Sequence, residues 1–100
     1  MGGWRKILRA MVADRKSRSY SYDDAEVVLR YLGFFLKSPN SGTSHRKWCR
    51  YVEDPASSTG RRLVVIGLVA GRAPLKPAYV KQLVDTLKTN NLLPPEVEET

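Results

Sequence analysis

The chain has 100 residues, 42% of them apolar and 27% charged. That is ordinary usage for one small folded domain; it excludes wholesale disorder and leaves no room for a cofactor domain beside a substrate domain. Seventeen Lys and Arg against ten Asp and Glu give a net charge of +7, which makes a polyanion such as nucleic acid the simplest partner.

The first predicted element is a helix. Trp4, Ile7, Leu8, Met11 and Val12 recur at helical spacing, with Arg5, Lys6 and Arg9 on the other face. Met1-Gly2-Gly3 leads straight into this amphipathic stretch and does not read as a signal peptide. Residues 13–20 are polar and basic and read as a connector. A second helix begins after Ser21, whose hydroxyl can cap it, and Asp24 completes a weak capping box. Asp23 adds negative charge at the positive end of the helix dipole. Ala25, Val28, Leu29 and Leu32 form the apolar stripe, and Gly33 stops the helix.

The period then changes. Phe34 to Lys37 reads as a short strand, ended by the turn residues Pro39-Asn40-Ser41-Gly42. His45 to Val52 is a second strand, and Glu53 to Gly60 a loop. Arg62 to Val69 is a third strand, apolar at both parities, as expected of a covered one. Gly71 to Pro74 reads as a loop. Pro77 suits the first turn of a last helix with the stripe Val80, Leu83, Val84 and Leu87. Residues 94–100 read as an acidic tail. The order α-α-β-β-β-α predicts a single α+β domain: a three-stranded antiparallel sheet with helices on one face and the other partly open. Trp4, Phe34, Phe35 and Tyr79 read as core or helix-packing residues.

The basic excess is spread along the chain. Residues 1–22 carry net +5, residues 23–90 another +5, and the last ten −3. Cys49 is the only cysteine, so a disulfide within the chain and a zinc site of Cys ligands are excluded. It reads as a small buried hydrophobe in a reducing compartment. No run approaches the ~18–20 apolar residues of a membrane span. A cytoplasmic location without membrane contact is expected. Asp23 and Asp24 are used at a helix start and Glu53-Asp54 precede Pro55, so no metal site is expected.

His45 is the only histidine. It stands at a loop-to-strand junction and is followed by Arg46, Lys47 and Arg50, which places it for proton transfer beside a phosphate. Strand parity puts His45, Lys47, Cys49 and Tyr51 on one face and Arg46, Trp48, Arg50 and Val52 on the other. In one register Trp48 packs under the helices and His45 and Lys47 face outward. In the other, Cys49 and Tyr51 are buried and Trp48 turns out as a stacking platform. Lys37 on the neighbouring strand and Lys76 at the last helix start are within reach of phosphate, which helix N-termini attract. From the residues alone, His45 is a candidate acid–base or a hydrogen-bonded structural residue, and Lys37, Ser44, Arg46, Lys47 and Lys76 are candidate nucleic-acid contacts or solvated surface groups.

The helix ending in Gly33-Phe34, the short strand, Gly42-Thr43-Ser44-His45, the strand holding Trp48, the apolar third strand and the Lys76-Pro77 helix start together resemble the HicA family. These are mRNA interferase toxins of type II toxin–antitoxin systems. The likeness covers Ser21 to Leu93, and Thr43 stands where usual members have Gly. The helix before it is an addition found in a subset of the family. The resemblance implies a fold like the double-stranded-RNA-binding domain and a metal-independent, cofactor-free endoribonuclease with His45 as its catalytic residue. It also implies a HicB-type antitoxin that covers the RNA-binding face in a hetero-oligomeric complex. The chemistry suits the residues, because RNA carries its own nucleophile, the 2′-OH. Two rival readings use the same surface: an RNA-binding module without catalysis, and an interaction protein matched to an acidic partner. No signature of paired strand aromatics is apparent, so sequence-specific base readout is not expected.

Overall fold

The computed structural model describes residues 3–13, 19–37 and 44–98. The predicted turn at 39–42, Thr43, most of the basic connector and the last two residues lie outside the described residues. The elements are α1 (Gly3–Ala13), α2 (Tyr22–Tyr31), β1 (Phe35–Leu36), β2 (His45–Glu53), β3 (Arg61–Val69), α3 (Pro77–Thr89) and α4 (Pro95–Glu98). The fold is α+β, with three antiparallel strands in the order β1-β2-β3.

α2 is delimited by its own sequence. The Ser21 hydroxyl accepts from the Asp24 N–H at 3.0 Å, and the Asp24 carboxylate accepts from the Ser21 N–H at 3.0 Å. This is the predicted reciprocal capping box. At the other end Gly33 adopts φ +87°. Its N–H reaches the Arg30 carbonyl at 3.1 Å, and the Phe34 N–H reaches that of Leu29 at 2.9 Å. Two otherwise orphaned helix carbonyls are thereby satisfied.

The sheet has one covered face. Trp48, Val64, Ile66 and Leu68 are buried there in one core with Ala25, Val28 and Leu29 of α2 and Val80, Leu83 and Val84 of α3. Trp48 therefore packs inward, and its indole N–H donates to the Tyr22 hydroxyl at 3.2 Å. The Arg30 guanidinium lies 4.9 Å from the centre of one ring face of Trp48. Arg50 shares this face, and its charge is accommodated at the helix end: its guanidinium donates to the Leu32 carbonyl at 2.7 Å. A cation at a helix C-terminus also meets the negative end of the dipole.

Two expectations are corrected. The tail is not simply acidic chain, because α4 forms within it, with Val97 fully buried and Leu93 only 7% exposed. Val97 and Leu93 join the core, and α4 packs on α1, where Arg5 pairs with Glu96 at 2.7 Å. α1 belongs to the same core through Trp4, Leu8 and Met11, and Trp4 stacks on Tyr31 with 5.7 Å between ring centroids. The second correction is Phe35. Phe34 takes the buried place, and Phe35 points away from the core. No helix among the described residues is long and apolar enough to cross a membrane.

Candidate nucleic-acid interface

His45 opens β2 and is paired with Val69 of β3. One residue earlier the ladder still holds, because the Ser44 carbonyl accepts from the Ala70 N–H at 2.8 Å. The histidine thus stands on backbone that is fixed on both sides, while its side chain is exposed. Opposite residues of an antiparallel pair share a face. That rule puts Lys47, Cys49 and Tyr51 with His45, together with Gly67, Val65 and Leu63 of β3 and Phe35 of β1. The Lys37 N–H donates to the Lys47 carbonyl at 2.9 Å, so Lys37 extends the ladder beside Lys47.

His45 lines a cleft of about 330 Å³, and the opposite wall is the start of α3 with Leu75, Lys76 and Tyr79. Leu75 is buried and its N–H is tied to the Tyr20 carbonyl at 2.8 Å, which holds this wall in place. Lys76 is the N-cap of α3 and its side chain makes no capping bond. The helix presents its positive end and an ammonium group there, the combination that attracts phosphate.

The predicted residues are not all in one place. His45 and Lys76 meet at the cleft, and Lys37 and Lys47 lie on the same open face. Ser44 contributes its backbone to the ladder. Arg46 is paired with Leu68 on the opposite face, and its guanidinium folds back to the His45 carbonyl at 3.1 Å. Tyr79, read from the sequence as a packing residue, does pack half-buried against the core and also lines the cleft. Its place three positions after Lys76, beside the Val80 stripe rather than in it, is the signal that it faces there. Phe35, Tyr51 and Arg61 also join the open face, with the Arg61 guanidinium 4.5 Å from the centre of the Tyr51 ring. Strand parity alone puts Tyr51 with His45.

Cys49 is fully buried although it shares the open face. It is a small side chain on the central strand, roofed by its partners Phe35 and Val65. Among the described residues no group of three or more His, Cys, Asp or Glu is arranged to hold a metal ion. No family model, no curated protein and no solved structure matches the chain.

Proposed function

We propose that the chain is an RNA endonuclease toxin of the HicA type, with a fold like the double-stranded-RNA-binding domain, acting in the cytoplasm. The observation that carries this reading is that its only histidine and Lys76, at the positive end of α3, line the same cleft. A phosphodiester held at Lys76 and the helix end would bring its ribose 2′-OH to His45. The imidazole takes the 2′-OH proton, the 2′ oxygen attacks the phosphorus, and the 5′ oxygen leaves with a proton returned by the imidazolium. The products are a 2′,3′-cyclic phosphate and a free 5′-OH. Lys76 stabilises the charge that builds on the phosphorane oxygens.

A toxin of this kind needs an inhibitor. A HicB-type antitoxin that presents Asp and Glu to Lys37, Lys47 and Lys76 would compete with phosphate for the same cations. The test is cleavage of a labelled RNA, in excess EDTA, by the wild type, His45→Ala and His45→Gln. Cleavage should fall about 10²–10⁴-fold in both variants, RNA affinity should hold, and growth arrest on expression should be relieved. Undiminished cleavage by the variants removes His45 from the chemistry. Binding without cleavage by the wild type assigns the face to an RNA-binding module instead.

A further inference from the structure

The open face of the sheet carries more than cations. Phe35 is 46% exposed, Tyr51 50% and Val65 43%. They are contiguous: Phe35 and Val65 flank Cys49 across the strands, and Tyr51 follows two residues along β2. The Phe35 and Tyr51 rings stand side by side, 6.4 Å between centroids and 30° between planes. The buried Cys49 is the floor between them. Aromatic surface left open on a folded domain marks a place where something docks.

The charges around it say what kind of occupant fits. Lys37 and Lys47 border one end and Arg61 the other, and Glu53, opposite Arg61, is the one acid that β1, β2 and β3 put on this face. Rings between cations match unpaired bases between phosphates: bases stack on aromatic side chains of any sequence context, while the backbone meets the cations. A duplex cannot use such a shelf, because its bases are already stacked inside. We infer that this face binds an unpaired run of a single-stranded polynucleotide, with Phe35 and Tyr51 receiving its bases. Tyr51 lies six residues from His45 on β2, about 20 Å at the usual strand rise. A strand laid along β2 therefore leads from the shelf to the cleft. The inference rests on the nucleic-acid reading of this face and is independent of cleavage by His45.

The test uses a short 2′-O-methyl oligoribonucleotide carrying 2-aminopurine, whose fluorescence falls when the base stacks. The 2′-O-methyl groups remove the nucleophile, so only binding is read. The wild type should quench the probe. Phe35→Leu and Tyr51→Leu should each weaken binding about 5- to 100-fold and reduce the quench. Phe35→Tyr and Tyr51→Phe, which keep a ring, should bind like the wild type. A duplex of the same sequence should bind the Leu variants and the wild type alike. If His45→Ala still cleaves an unmodified RNA while the shelf results hold, only the catalytic reading is lost. Leu variants that bind and quench like the wild type overturn the shelf. So does self-association of the wild type, seen by sedimentation and abolished by the Leu changes, with oligonucleotide affinity unmoved; the face would then belong to a second copy.

Discussion

The Trp48 indole donates to the Tyr22 hydroxyl at 3.2 Å, and this bond joins the middle of the sheet to the first turn of α2 inside the core. It fixes the inward parity of β2 and so, three residues earlier, the outward direction of His45. Tyr22→Phe removes the acceptor and strands a buried N–H. The change should cost about 1–3 kcal/mol, read as a lower urea midpoint at unchanged slope. The same change made in a Trp48→Phe background should cost less, since no indole is left to satisfy.

Charge reversal should separate the open face from the outer face of α1. Lys47→Glu should weaken single-stranded RNA binding and lower its salt slope by about 0.7 for each phosphate that is no longer neutralised. Arg9→Glu, on α1, should leave the slope unchanged. Affinity measured over a range of salt concentrations checks both. A flattened slope from Arg9→Glu with none from Lys47→Glu would move the binding surface to α1.

Much of this architecture is legible because it is encoded locally. The Ser21–Asp24 box, Gly33, the α3 stripe and the alternation of β2 each depend on residues within a turn or a strand of one another. What is not legible depends on tertiary partners. Two phenylalanines in succession, beside a strand of only two residues, carry no parity of their own; the Gly33 turn and Leu29 decide that Phe34 goes in and Phe35 out. Val97 among prolines and glutamates shows no periodicity, and only the core it joins gives it a place. Placing the last helix start near the strand end already groups Lys76 with His45; what no local pattern states is how the loop after β3 returns α3 so that the two line one cleft with Tyr79. Sequence proximity groups Arg46 with His45, and strand alternation undoes that grouping.

Gly33→Ala should destabilise the fold through its backbone rather than by collision. An added methyl would meet Arg50 Nε at 3.7 Å, an ordinary approach. The left-handed conformation at φ +87° is the obstacle, and it costs a residue with a Cβ about 1–2 kcal/mol. A thermal midpoint lower by about 4–8 °C per kcal/mol is expected for a domain of this size. An unchanged midpoint would mean that the turn after α2 relaxes at no cost.

The joint between α1 and α4 should weaken in acid. The Glu96 carboxyl is held below the usual glutamate range, first by a hydrogen bond from its own backbone N–H and then by the Arg5 guanidinium. A folded-state value below the unfolded one contributes stability at pH above the ordinary value of about 4.3. That contribution is lost as pH falls through the folded value. Glu96→Gln should remove this part of the pH dependence and leave the neutral-pH core intact. Thermal melts of both proteins from pH 6 to pH 3 should converge at the acid end; parallel curves would show that the pair contributes nothing.

The clasp between Arg5 and Glu96 joins residues 91 positions apart. During synthesis α1 emerges ahead of α2, the sheet and α3, and its seam against α4 stays unfilled until Val97 has followed. Closing so long a loop comes late in folding. A nascent chain arrested at Leu93 would therefore hold a finished sheet and an incompletely covered first helix. That is the intermediate in which exposed apolar surface invites aggregation or a chaperone, and α4 acts as the latch that ends it.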